Sequence, residues 1–210
     1  MIIDLHPTPL YKINYKKYTG KQIPDDIVNY GINCDYGPNT GNLSSKNTNV
    51  LSEPIFSDVT KFICDQVFHF AHNIYMYDES KVQFYITQSW LNLTKKNEYH
   101  HVHVHSNSII SGVFYIKVQD GDNINLIDKS TNIVGNKKLL EIPKKENQSA
   151  YSTEVYKLGV EQGDLLLFDS QIPHGVDSID TDMRISLSFN TFVKGEFGRE
   201  DNLTFLSLWL

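Results

Sequence analysis

Beyond about residue 80 the apolar pattern of this chain changes its period from 3.6 residues to 2, and that change limits the fold more than any other feature. "KVQFYITQSWLNL" (81–93), "YHHVHVH" (99–105), "SIISGVFYIKV" (108–118) and "MRISLSFNTFV" (183–193) alternate as strands with one buried face must. "GDLLLFDSQIPHGV" (163–176) reads as a strand that runs into a proline corner. Strands in this number, without helical patterns between them, predict an antiparallel sandwich or barrel. Ahead of them, "SEPIFSDVTKFICDQVFHFAHNIYMY" (52–77) carries Ile55, Val59, Phe62, Ile63, Val67, Phe70 and Ala71 at helical spacing. Ser52, Glu53 and Pro54 give it a start signal, so one helix is predicted there. "PTPLYKINY" reads as a short extended piece, and residues 28–50, rich in Gly, Asn and Ser, as a long loop. Residues 119–154 are polar, with short apolar patches "NINLI" and "KKLLEI". The expected organisation is one domain over 1–210: an N-terminal helical layer and loop (1–80), a β core (81–195) and a C-terminal extension (196–210).

With 25 acidic against 19 basic residues the chain lacks the charge of a general nucleic-acid binder, so no nucleic-acid partner is expected. No run approaches the ~18 apolar residues of a membrane span, and the N-terminus shows no basic leader, so a cytoplasmic location is the default expectation. Cys34 and Cys64 sit in unlike contexts and predict neither a disulfide framework nor a Cys-based zinc site.

Four of the eight histidines fall within six positions of "EYHHVHVHSNS" (98–108). In a strand, His101, His103 and His105 share one face, and Val102 and Val104 the other, which the 52–77 helix could cover. Imidazoles at i and i+2 are roughly 6.5 Å apart along the backbone and can converge on a metal held at about 2.0–2.1 Å per nitrogen. A third ligand must come from elsewhere, and His174, at the end of the "LLLF" strand, is the candidate. His100 points away from the His103 face, His101 rivals His105, and His69 and His72 are expected at the surface. On "RISLSFN", Arg184, Ser186, Ser188 and Asn190 share one face, and Ile185, Leu187 and Phe189 the other. An inward Arg with two Ser is costly unless satisfied, and a small-molecule carboxylate suits the guanidinium fork. The plainer alternatives are an exposed His-rich strand, a corner histidine at 174, and Arg184 paired with Asp180 or Asp182 at the surface. All three would have to hold together.

"HVHSNS", "SGVFYIKV", "GDLLLFDSQIPHGV" and "RISLSFN", in that order, resemble the iron(II)/2-oxoglutarate-dependent oxygenases. They are most similar to the uncharacterised family that reads roughly H-x-H-P-N-S-x-x-S-G-V-x-Y and then R-I-S-x-S-F-N. The strong matches cover 85–193. The resemblance implies a mainly β chain with N-terminal helices and a double-stranded β-helix, or jelly roll, with Fe(II) at its open end. His103 and His174 would be metal ligands, and His105 stands where most of the superfamily has the carboxylate of a 2-His-1-carboxylate triad. Asp169 and Glu98 remain alternatives as a carboxylate ligand. Arg184 and Ser186 match the Arg-x-Ser that holds 2-oxoglutarate, Tyr115 matches an assisting tyrosine, and Asn92 and Trp90 would lie near the cosubstrate.

The implied reaction consumes O2 and 2-oxoglutarate, releases succinate and CO2, and hydroxylates a substrate. The sequence leaves that substrate open between a small molecule and a protein side chain, and leaves the oligomeric state open, with a homodimer allowed. Segments 28–50 and 119–154 are candidate lids. Two rivals stand beside this reading: a cupin-like metal protein, which would usually carry a Glu after the second His, and a jelly-roll binding protein that has lost its chemistry.

Overall fold

The computed structural model describes residues 2–4, 7–127, 143, 145–146, 149 and 151–209. Twelve strands lie among them: β1 (Tyr11–Asn14), β2 (Tyr36–Pro38), β3 (Leu43–Ser45), β4 (Val82–Lys95), β5 (His100–His103), β6 (Ile110–Lys117), β7 (Asn123–Ile127), β8 (Val155–Gly159), β9 (Asp164–Asp169), β10 (His174–Val176), β11 (Met183–Phe197) and β12 (Leu206–Leu208). They form two antiparallel sheets. The major one runs β1-β9-β6-β11-β4-β3-β2, with β12 paired to the end of β11, and the minor one runs β5-β10-β7-β8. This is the two-sheet jelly roll that the resemblance implies.

The major sheet is covered on both faces, which is why its central strand alternates so cleanly. On one face Leu91 and Leu93 of β4, Ile110, Phe114 and Ile116 of β6, and Ile185, Leu187 and Phe189 of β11 pack against the helical layer. Gly112 of β6 lets Phe189 lie across it, since a Cβ there would sit 2.1 Å from Phe189 Cζ. On the other face Val113, Tyr115, Leu166 and Phe168 form a smaller core with Ile124 of the minor sheet. The polar side of β11 looks into this second space.

The helical layer departs from the single predicted helix. Glu53 precedes a proline and is held extended (φ −67°, ψ 133°). The segment therefore begins as two 3-10 turns, Val50–Ser52 and Pro54–Phe56, before α3 (Ser57–Phe68). Val59, Phe62, Ile63, Gln66 and Val67 form its buried stripe. A π-helical turn, His69–Ile74, follows and buries Phe70, Ala71 and His72 in succession. His72 is thus inside, not at the surface: Nδ1–H donates to the Tyr77 carbonyl at 2.9 Å, and its ring packs on Phe68. His69 is exposed as expected, and His6 lies outside the described residues.

Two earlier helices were not visible in the periodicity. α1 (Tyr15–Thr19) is capped by the Asn14 side chain, which accepts from the amides of Lys16 and Lys17. α2 (Asp25–Asn33) places Asp25 and Asp26 at its positive end and lays Ile27 and Gly31 on the core. The predicted 28–50 loop therefore contains the end of a helix and the short strands β2 and β3. Val102 and Val104 are also unlike the expectation, at 55% and 39% exposed. The helices cover the major sheet, whereas β5 belongs to the minor one, so no layer lies over the valines. "NINLI" forms β7 in the minor sheet, and "KKLLEI" lies outside the described residues. No helix among the described residues is long and apolar enough to cross a membrane.

Candidate metal centre

β5 and β10 run antiparallel as neighbours, with His174 opposite His103. His105 follows the end of β5, and its amide is held by the Ser170 carbonyl at 3.0 Å. Each of these three histidines offers one ring nitrogen, and the three nitrogens lie within 4.8 Å of one another. The tautomers of two follow from their partners. His103 Nδ1–H donates to the His101 carbonyl at 2.9 Å, and His174 Nδ1–H to the Ile172 carbonyl at 2.9 Å. Both leave Nε2 as a lone pair, the usual preparation of a metal-ligating histidine. Nε2 of His105 faces Nε2 of His174 at 3.2 Å. Trp90 packs its ring beside His105, and Phe168 sets its edge against His174.

Burial, and then the neighbouring imidazoles, keep these rings neutral. His174 is pushed down to about 3 by burial, offset in part by its carbonyl partner. His105 falls to about 4 through burial and His103, and His103 is lowered mainly by burial. Three neutral, converging nitrogen donors suit a divalent ion of the iron–zinc row. Neither carboxylate alternative joins them. Asp169 accepts from the Gln171 amide at 2.8 Å, and Glu98 from the Lys95 amide at 2.8 Å.

The same cavity, of 260 Å³, reaches Arg184, Ser186 and Ser188 of β11 and Asn92 of β4. Arg184 is 3% exposed, and its Nε has no hydrogen-bond partner among the described residues. It makes no ion pair among the described residues, so the surface pairing with Asp180 or Asp182 does not form. Its guanidinium lies over the Tyr115 ring, 5.1 Å from the centre. Tyr115 backs Arg184 from within the sheet rather than lining the cavity, and its buried hydroxyl is also unpartnered. Burial pushes that phenol up to about 12, against the opposing pull of Arg184. Asn92 is held by the protein: it donates to Ser188 Oγ at 2.9 Å and accepts from Ser44 Oγ at 3.1 Å.

The strand alternation misplaced His100. Between the pairs His174–His103 and Val176–His100, β10 advances two residues while β5 advances three. The extra residue is a β-bulge, which shifts the side-chain phase. His100 therefore turns into the cavity and lies on His103, with ring centres 4.8 Å apart. His101 stays outside the buried group. Asn39 and Ser44, from the predicted loop, complete one wall. Nothing in the hydrophobic pattern of "YHHVHVH" marks the bulge.

Residues 88–190 match the model of the family described as "Putative 2OG-Fe(II) oxygenase". No curated protein matches the chain. Among solved structures, HygX from Streptomyces hygroscopicus with nickel and 2-oxoglutarate bound is similar at a TM-score of 0.58 and 12% identity, covering 97% of this chain and 86% of that one. A prolyl hydroxylase from Trichoplax adhaerens, in complex with a hypoxia inducible factor peptide fragment, gives 0.58 at 13% identity, covering 87% and 83%. A Pseudomonas putida prolyl-4-hydroxylase gives 0.55 at 13% identity, covering 87% and 92%. These likenesses establish the jelly roll. Residues 88–190, which hold the histidine cluster, Arg184 and the strands that bring them together, are thus the part of the chain that matches the 2OG-Fe(II) oxygenase family.

Proposed function

We propose that His103, His105 and His174 hold Fe(II) and that Arg184, aided by Ser186, binds the distal carboxylate of 2-oxoglutarate. The observation that carries this is that three histidine ring nitrogens converge on one cavity beside a buried guanidinium whose Nε has no partner among the described residues. Bound iron supplies the activation of O2, coupled to oxidative decarboxylation of 2-oxoglutarate to succinate and CO2, that hydroxylates a substrate C–H.

The chain's own part is positional and electrostatic. The triad contributes no negative charge, so the cation and Arg184 together call for a dianionic cosubstrate. Ser186, on the same face of β11, adds a hydroxyl to the guanidinium fork. The Tyr115 ring lies against the Arg184 guanidinium and supports its position. Asn92, tied to Ser44 and Ser188, shapes the wall.

The substrate is a small molecule or a protein side chain; HygX has been seen with hygromycin B, and the Trichoplax enzyme with a peptide. The cupin-like alternative gives Arg184 no purpose. An inactive jelly roll remains the competing reading, favoured by a histidine where a carboxylate is usual. Anaerobic titration of metal-free protein with Fe(II) and then 2-oxoglutarate tests the choice. A weak visible charge-transfer band saturating near one equivalent supports the oxygenase. Iron binding without the band favours a cupin-like role, and no binding of either leaves a binding protein.

A further inference from the structure

The bulge that turns His100 inward also assembles a second group of imidazoles. His100, His101 and His103 each offer a ring nitrogen, and these lie within 4.8 Å of one another. Their ring centres are 5.3 Å (His100–His101), 4.8 Å (His100–His103) and 4.9 Å (His101–His103) apart. All three are half-buried, whereas His105 and His174 of the inner triad are only 9% and 5% exposed. His100 and His101 also line a shallower depression outside the cavity, beside Val102, Asn125 and Asp177. The group therefore stands between solvent and the inner triad.

Its rings are oriented by the backbone. His101 Nδ1–H donates to the Thr40 carbonyl at 3.3 Å, which leaves Nε2 as the lone pair. The Thr40 turn is itself pinned to β5: the Tyr99 amide donates to the Gly41 carbonyl at 3.0 Å, and the Asn39 amide to that of Asn42 at 2.9 Å. Gly41, at φ +89°, permits this approach, because a Cβ there would lie 2.6 Å from the Tyr99 carbonyl oxygen. Asn39 Nδ2 stands 3.5 Å from the His100 ring. A carbonyl behind a ring nitrogen is the outer-shell arrangement that fixes metal-binding histidines.

We propose that His100, His101 and His103 form an outer site for a divalent transition ion, a three-imidazole set with an open fourth position of the kind that takes Zn(II). His103 belongs to both triads. Its Nδ1–H is committed to the His101 carbonyl, so only Nε2 can bind a metal, and the two sites fill in turn rather than together. The outer triad is then a docking point from which an ion reaches the buried ligands by exchanging His100 and His101 for His105 and His174. Only this exchange rests on the inner-site reading; the outer triad stands by itself.

The test is Zn(II) titration of the metal-free His105→Gln/His174→Gln protein, followed by long-range 1H–15N spectra of the histidine rings. One equivalent of Zn(II) should bind, with the ring nitrogens of His100, His101 and His103 shifting together. Adding His100→Gln should weaken that binding by at least ~10-fold, the lower range for losing even an outer-shell partner. No zinc uptake by the folded double variant, or unchanged His100 and His101 signals, overturns the proposal. Should the double variant not fold, wild-type crystals soaked in Zn(II) and measured at the zinc edge should show density divided at partial occupancy between the two triads, and full occupancy of the inner triad alone overturns it. Failure of the inner-site reading shows separately, as an Fe(II)–2-oxoglutarate band that survives in the double variant.

Discussion

Replacing Arg184 with methionine should make the ligand-free protein more stable while removing its hold on 2-oxoglutarate. The buried guanidinium lacks a carboxylate among the described residues, and its Nε lacks any hydrogen bond. An unsatisfied buried polar group costs about 1–3 kcal/mol, and replacing buried ions by apolar groups of similar volume is neutral or stabilising by about 1–4 kcal/mol. Against this stands the contact with the Tyr115 ring, 5.1 Å from the guanidinium, worth about 0.5–2 kcal/mol. The balance favours methionine by about 1–2 kcal/mol, which for a chain of this size is a rise in Tm of about 2–8 °C. With 2-oxoglutarate present the order reverses. Truncating one partner of a buried charge pair costs about 2–5 kcal/mol, a loss of roughly 30-fold to several-thousand-fold in affinity. Thermal melts with and without metal and 2-oxoglutarate, with anaerobic calorimetry for affinity, read both effects. Arg184→Lys separates charge from shape: it should lose affinity without gaining stability. A melt of ligand-free Arg184→Met below that of the wild type would refute the reasoning, because the guanidinium would then have an internal partner.

Iron binding should be abolished in His103→Ala, and His105→Ala should weaken it more than His101→Ala does; the opposite order, by anaerobic titration, would move the site outward along β5. Gly112→Ala should lower stability by at least about 1–3 kcal/mol, seen as an earlier melt, because the new Cβ would meet the buried Phe189 ring at 2.1 Å. The metal-free protein should lose stability in acid. His105 and His174 titrate near 4 and 3 in the fold, below the ordinary value near 6.5. Their contribution is therefore present above pH 6.5 and lost as pH falls from there towards 4, where the unfolded chain binds more protons. A urea midpoint that stays flat between pH 7 and 4.5 would contradict this.

What could be read in the sequence follows from how strongly each segment is constrained. β11 lies between β4 and β6 and is covered on both faces, so its alternation survives intact: Ile185, Leu187 and Phe189 are buried in one core, and Arg184, Ser186 and Ser188 face the cavity. β5 is paired only with β10 and open on its outer face, so nothing forces a regular pleat, and the bulge that moves His100 leaves no mark in the pattern. The same openness explains the exposed Val102 and Val104. α1 and α2 escaped because their signals are local, a cap at Asn14 and two acidic residues at Asp25 and Asp26, in a stretch whose composition reads as loop. His72 escaped because a π turn widens the helix and brings three successive side chains inward, a phase that the 3.6-residue period does not contain.

Several features that look like faults in the fold gather around one cavity. Arg184 Nε and the Tyr115 hydroxyl are buried without partners, and Nε2 of His105 meets Nε2 of His174 at 3.2 Å. Folding alone gives no reason to keep any of them, since apolar residues of similar size would pack there at lower cost. Rules broken together at one place mark function more than chance. One dianion lying between the triad and Arg184 would satisfy the guanidinium at one end. At the other end it would complete the coordination of a cation held by the lone pairs. Metal and cosubstrate binding should therefore be strongly coupled, each tightening the other, because neither half of the cavity is electrostatically complete alone.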